Sequence, residues 1–173
     1  PDGNRFRVET SAGTRILARA VIVAAGVGAF GPNRPPLDGI EAYEGRGVFY
    51  MVKRREDLRG KRVVIAGGGD SAVDWALALA GIAERIMVVH RRPKFRAAPE
   101  SAARLDALAR EGAIELVVPY QLAGLAGRDG QLIGVDVATL DGKVRRLEAD
   151  VLLPFFGLAM NLGPIADWGL DLE

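Results

Sequence analysis

Two clusters in this chain have the residue types and spacing to do chemistry. Gly67-Gly68-Gly69-Asp70-Ser71-Ala72 follows a short β-branched run, Arg62 to Ala66, and leads into a helical pattern from Ala72 to Ala80. His90-Arg91-Arg92, with Phe95 and Arg96 close behind, ends a second apolar run, Arg85 to Val89. A strand, a glycine turn and a helix present unpaired N–H groups and the positive end of a helix dipole, which suits an anion such as pyrophosphate. Gly67 can take backbone angles closed to other residues, Gly69 removes a side chain where a phosphate approaches, and Ala72 lets helix and strand pack closely. Asp70 or Ser71 is expected to cap the helix by accepting a hydrogen bond from its first turn. A glycine triplet alone also describes an ordinary strand-to-helix turn. With the second strand arriving on time, Gly60 to Arg96 reads as the β-α-β unit of dinucleotide binding.

The end of the second strand selects the nucleotide. Sites for NAD place an Asp or Glu there to bind the ribose 2'-hydroxyl, whereas a 2'-phosphate calls for Arg. The chain has His90, Arg91 and Arg92 at that place, then Arg96, and no carboxylate. Charged hydrogen bonds contribute roughly 1.5 to 3 kcal/mol each, so two of them favour NADPH over NADH by about a hundredfold or more. The same residues would also make a solvated basic turn, and His90 alone could be a packed neighbour.

Composition bounds the alternatives. The 173 residues are 49% hydrophobic, enough for one domain and part of another. A net charge of +1 gives no bulk pull toward nucleic acid or membrane, so neither is expected as a partner. Without cysteine there is no disulfide, thiolate metal site, iron–sulfur ligation or dithiol chemistry, and one histidine makes no metal cluster. The apolar runs are too short to span a bilayer and no signal peptide opens the chain, so a soluble cytoplasmic protein is expected. Both ends read as cut from something larger.

The elements that must position the two clusters follow from pattern. Arg5 to Glu9 and Arg15 to Arg19 are strand-like around a turn, and Ala20 to Ala24 reads as a buried strand before a Pro/Gly loop, Gly26 to Pro36. Tyr43 to Lys53 reads as a linker ending in a charged turn, Arg54 to Arg59. Beyond the β-α-β unit, Pro99 to Arg110 has helical spacing with Gly112 to stop it, and Ile114 to Val118 is a strand of the same sheet. Tyr120 to Leu125, Leu132 to Leu140 and Lys143 to Leu147 read as an antiparallel meander with turns at Arg128-Asp129-Gly130 and Asp141-Gly142. Asp150 to Phe156 is a nearly uninterrupted apolar strand, which implies burial on both faces in a parallel sheet.

Several stretches together resemble one family. Ala24-Ala25-Gly26-Val27-Gly28-Ala29-Phe30, Arg59 to Leu77, His90-Arg91-Arg92 with Phe95-Arg96, and Phe155-Phe156-Gly157 with Asn161-Leu162-Gly163-Pro164 and Trp168-Gly169-Leu170 are similar to the thioredoxin-reductase-like ferredoxin-NADP reductases. The resemblance implies an α/β fold: a Rossmann-like NADPH-binding domain with a parallel sheet and antiparallel meander, residues 44–157, flanked by FAD-domain pieces at 1–43 and 158–173. It also implies a homodimer when intact, with NADPH and FAD as cofactors and ferredoxin or a flavodoxin-type carrier as partner. Thioredoxin reductases carry Cys-x-x-Cys after a Gly-Val-aromatic-Tyr lead; here Gly47 to Tyr50 is followed by Met51, Val52, Lys53 and Arg54. Asp74-Trp75 also favours the ferredoxin reductases, while Met160 before Asn161 departs from the family's proline.

By that resemblance Gly67 to Ala72 hold the pyrophosphate, Arg91, Arg92 and Arg96 the 2'-phosphate, and His90 and Phe95 support the adenosine end. No residue here need act as acid, base or nucleophile, and FAD would touch the Gly26 to Gly28 loop. Alternatives are another NADPH-dependent flavin reductase, with Arg54, Arg55 and Arg59 either docking a carrier or merely solvated, and an NADPH-sensing module without turnover.

Overall fold

The computed structural model of the chain describes residues 4–23 and 30–160. They fall into two compact units, one formed by residues 1–31 with 160–173 and the other by residues 32–159. In the first, β1 (Phe6–Glu9) and β2 (Arg15–Ala18) form an antiparallel hairpin with Phe6 opposite Ala18. Ala20 to Val23, expected as a buried strand, lie in no element and are exposed, Ile22 at 90%. An apolar run is buried only where a second layer covers it. Leu37 and Ile40 are buried in the core of the second unit.

Where the chain passes between the units, β3 (Phe30–Pro32) pairs with the last strand, β11 (Leu158–Met160), so the expected Pro/Gly loop contains a strand. The second unit then runs β4 (Arg62–Ala66), α1 (Asp70–Leu79), β5 (Arg85–Val89), α2 (Pro99–Arg110) and β6 (Glu115–Val117). Next come β7 (Gln121–Arg128), β8 (Gln131–Ala138), β9 (Val144–Glu148) and β10 (Val151–Pro154). Strands β10, β4, β5 and β6 lie side by side in that order, all parallel. The chain starts at β4, moves outward through β5 and β6, and returns through the β7–β8–β9 meander to place β10 on the other side of β4.

Burial on both faces explains the uninterrupted apolar strands. Val63, Ile65, Ile86, Val88, Val151 and Leu153 share a core with Ala72, Val73, Ala76 and Leu79 of α1 and Leu105 of α2. The alternate residues Val64, Ala66, Met87, Val89 and Leu152 share the opposite core with Leu132, Val135, Val137 and Leu147 of the meander. The layers are therefore two helices, a parallel sheet and an antiparallel sheet, and period-two alternation assigns each strand residue to one side. At the far end of the strands from the glycines, Arg62 donates from Nη2 to Asp150 Oδ1 at 2.7 Å and from Nε to Oδ2 at 3.2 Å, tying β4 to β10.

Two boundaries differ from expectation for local reasons. Tyr43 to Lys53 is more than a linker: Val48 is buried and pairs in parallel with Leu152, while Leu152 N donates to Gly47 O at 2.8 Å and Phe49 N to Leu152 O at 3.0 Å. These bonds occupy the free edge of β10. Helix α1 begins at Asp70, two residues earlier than its apolar pattern suggests, because its first two residues, Asp70 and Ser71, are exposed and polar and so carry no hydrophobic signal. Gly112, at φ +78°, follows the C-cap of α2 as expected. Among the described residues no helix is long and apolar enough to cross a membrane.

Candidate dinucleotide-binding site

The sheet order reverses between β4 and β10, and in open α/β sheets ligands bind outside the carboxyl ends of the strands at such a point. The glycine turn sits there. Gly67 has φ +152°, and a Cβ on it would lie 2.6 Å from the Phe155 carbonyl oxygen and 3.1 Å from Ala72 Cβ. Its N–H donates to Val89 O at 3.0 Å. Only glycine fits a position so closely held by β5, α1 and the segment after β10. Gly69 is the N-cap of α1, and a Cβ there would meet nothing within 4 Å, so the space beside the start of the helix is open at that position.

Gly68 has a different reason to be glycine. A Cβ on it would fall 2.2–2.6 Å from three atoms of the His90 ring. His90 is 9% exposed, its Nε2 is buried without a hydrogen-bond partner, and its ring lies 5.2 Å from Phe95 at 34°. Burial pushes the His90 pKa below its ordinary value; the Lys94 backbone carbonyl opposes this, and the charges of Arg96, Arg91 and Arg92 add to it. The imidazole is therefore neutral near pH 7.

The loop that follows His90 is fastened to the glycine turn. Arg96 N donates to Gly68 O at 2.6 Å, and Ala98 N donates to Asp70 Oδ1 at 2.7 Å. Arg91, Arg92 and Arg96 are exposed, and among the described residues their guanidinium groups have no hydrogen-bond or ion-pair partner. A cleft of about 730 Å³ opens between the glycine turn, His90, Arg91 and Arg96 on one side and residues 35–37, 120–122 and 155–157 on the other. That is the size range of small-molecule sites, roughly 300–1,000 Å³.

The expected site residues thus gather in one place, with distinct positions. Gly67 to Ser71, His90, Arg91 and Arg96 line the cleft. Ala72 is fully buried behind Gly67. Arg92 stands outside the lining, and Phe95 reaches the cleft only through His90, packing otherwise into the helix-side core. The expected cap is corrected: Gly69 is the N-cap of α1 with no side-chain cap bond, and Asp70, inside the first turn, is spent on Ala98. Gly26 to Gly28, expected at the flavin, lie outside the described residues, as do Asn161 to Pro164 and Trp168 to Leu170.

Sequence reasoning missed the opposite wall, Pro35 to Leu37, Tyr120 to Leu122 and Phe155 to Gly157. Its signals were weak: a proline pair inside a loop, and Gly157, at φ +82°, closing an apolar strand. The basic run is also less free than its composition suggests, since Arg54 pairs with Asp57 at 2.9 Å and Arg55 with Glu56 at 3.1 Å. Among the described residues no group of His, Cys, Asp and Glu could hold a metal ion.

A parallel sheet with a glycine turn at its switch point and a basic loop beside it belongs to the nucleotide-binding flavoprotein folds, and the chain is a member of the pyridine nucleotide-disulphide oxidoreductase family, whose model matches residues 1–172. Among curated proteins it is similar to the ferredoxin–NADP reductase of Granulibacter bethesdensis, 71% identical over 169 residues, covering 97% of this chain and 48% of the relative. It is also similar to that of Rhodospirillum rubrum, 68% identical over 168 residues, covering 97% and 49%. The chain thus spans about half the length of the curated relatives it matches. Thioredoxin reductase from Lactococcus lactis superposes with a TM-score of 0.84 at 24% identity, over 100% of this chain and 55% of the other, which shows the shared fold. The enzyme from Giardia duodenalis gives 0.71 at 30% identity, over 86% and 47%.

Proposed function

We propose that the chain is the NADPH-binding part of a flavoprotein oxidoreductase that passes electrons from NADPH through FAD to ferredoxin or a flavodoxin-type carrier. The observation that carries the reading is the 2.6 Å bond from Arg96 N to Gly68 O, which holds the arginine loop beside the amide-rich turn. In this reading Gly67 to Ala72 receive the pyrophosphate at the start of α1. Arg91, Arg92 and Arg96 receive the 2'-phosphate, with His90 and Phe95 behind them. The fit rests on the open space at Gly69, the unpaired guanidinium groups of Arg91 and Arg96 and the orphaned His90 Nε2, all on one cleft.

Residues 44–157 would be the NADPH domain, and residues 1–43 and 158–173 would belong to an FAD domain. When bound, FAD supplies the exchange between two-electron nicotinamide chemistry and a one-electron carrier. This chain's own residues bind and orient the dinucleotide. With no cysteine in the 173 residues, they cannot carry electrons as a dithiol. The names of the relatives support ferredoxin as the acceptor, a homodimer is the expected intact form, and the cytoplasm is the expected compartment.

Changing Arg91 and Arg92 together to Ala should weaken NADP⁺ binding far more than NAD⁺ binding by calorimetry. At roughly 1.5–3 kcal/mol each, two guanidinium groups contribute about 3–6 kcal/mol between them, a discrimination of about a hundredfold or more. Equal losses for the two dinucleotides would sink the assignment. In the intact reductase NADPH should bleach a flavin and support ferredoxin-dependent cytochrome reduction. Bleaching without the second step would favour another acceptor, and a colourless protein a sensor.

A further inference from the structure

The carboxylate of Asp70 stands where a dinucleotide site has least use for one. It lies in the first turn of α1, next to Gly69, and a fixed negative charge there opposes an arriving diphosphate. It does not cap the helix, since Gly69 occupies the N-cap without a side-chain bond. Among the described residues its hydrogen-bond partner is the backbone N–H of Ala98, 2.7 Å from Oδ1. Ala98 is the N-cap residue of α2 and the last residue of the loop that carries Arg91, Arg92 and Arg96.

That loop has no helix or strand of its own between Val89 and Pro99. Its fixings include His90 N to Val117 O at 3.2 Å, Tyr120 N to His90 O at 3.1 Å, Arg96 N to Gly68 O at 2.6 Å, and Ala98 N to Asp70 Oδ1. The first three are bonds between backbone groups, which any sequence can make. The fourth depends on the side chain at position 70. The link between Ser101 Oγ and Asp74 Oδ1, at 3.4 Å, joins the same two helices one turn further on and is too long to replace it.

We propose that Asp70 is a positioning residue: its carboxylate anchors the end of the arginine loop to the glycine turn, and this anchoring holds the guanidinium groups in register with a 2'-phosphate. The proposal rests on the nucleotide reading above and adds a device to it. Recognition of the third phosphate is tied mechanically to the turn that receives the first two. An acid in an anion site is thereby accounted for, because the turn gives up some attraction for every dinucleotide and gains discrimination between them.

The test uses the chain with Asp70→Ala and Asp70→Asn, titrated calorimetrically with NADP⁺ and NAD⁺. Removing the charge eases binding of both dinucleotides alike, so the ratio of their affinities is the quantity that reports on the loop. Asp70→Ala should lower the NADP⁺-over-NAD⁺ ratio about tenfold, the loss of one charge-assisted bond on an exposed loop. Asp70→Asn keeps an oxygen able to accept from Ala98 and should hold the ratio within about twofold of the parent. Hydrogen exchange at residues 91–98 should quicken in the Ala variant and not in the Asn variant.

An unchanged ratio in Asp70→Ala overturns the proposal, and so does an equal fall in both variants, which would assign the effect to charge instead of anchoring. A parent chain with no preference for NADP⁺ overturns the nucleotide reading itself, and this is seen before any variant is made.

Discussion

Adjacent glycines in the turn should respond to the same substitution in opposite ways. In Gly68→Ala the new methyl falls 2.2, 2.3 and 2.6 Å from Cε1, Nε2 and Nδ1 of His90, well inside any real contact. The backbone there is not in the left-handed region, so the whole cost comes from displacing the ring. With His90 only 9% exposed and its ring packed at a tilt against Phe95, its movement sacrifices packing, and overpacking of this kind costs about 1–3 kcal/mol. Gly69→Ala meets nothing within 4 Å. Ala is a poorer N-cap than Gly by roughly 1 kcal/mol, while the stiffer unfolded chain returns about 0.4–1 kcal/mol, so the net change is within about 0.5 kcal/mol. Urea unfolding should therefore register Gly68→Ala and barely register Gly69→Ala. NADP⁺ titration should show a large loss for Gly69→Ala, whose methyl occupies the space a phosphate needs. The double variant Gly68→Ala with His90→Ala removes the clash and should be more stable than the sum of its parts by at least about 0.5 kcal/mol. Strict additivity, or a Gly68→Ala protein as stable as the parent, would refute the packing argument.

Two further outcomes follow from the ionisable groups. Because His90 titrates below its ordinary 6.5 in the folded chain, the unfolded chain takes up the proton first as the pH falls. The stability due to neutral His90 is complete above the ordinary 6.5 and drains away as the pH falls below it, so unfolding midpoints should fall as the solution is acidified through that pH, and His90→Gln should flatten that slope. Arg62→Ala should destabilise the chain by about 1–2 kcal/mol, a value discounted for the partial exposure of Arg62 and Asp150. The Arg62 guanidinium holds the Asp150 carboxyl below its usual 3.8, so this stability is present above that pH and lost as acid is added. The gap between parent and variant should close below it, and a gap that persists in acid would point to packing alone.

What could be read from the sequence was whatever is written in local periodicity. Strands β4 and β5 and helix α2 fall where their apolar spacing places them, because each buries a face whose period is its own. The meander was legible from its turn residues, Asp129-Gly130 and Asp141-Gly142, which need the positive φ seen at Asp129, Gly130 and Gly142. The misses share a cause: they depend on partners distant in the chain. Val48 is an edge partner only because Leu152 returns beside it, and nothing in Tyr43 to Lys53 announces that. Ala20 to Val23 carry the composition of a buried strand, yet composition states a capacity for burial and not the presence of a covering layer. At the site, the spacing of Gly67, Gly69 and Ala72 follows the phosphate fingerprint, whereas Gly68 and Asp70 are explained only by His90 and Ala98, which lie 22 and 28 residues further on.

The second unit begins and ends at one spot. Asn33 N donates to Gly157 O at 3.0 Å, and Asn33 Nδ2 to Phe156 O at 3.1 Å, so the incoming and outgoing strands are stitched together as they cross its boundary. A module whose doorways coincide can be spliced into a host sequence without pulling the host's own chain ends apart, since the gap left behind is no wider than a tight turn. The same geometry lets such a cassette be lifted out and closed with a few residues, and it lends itself to circular permutation, with new ends opened at an exposed hairpin such as Asp141-Gly142.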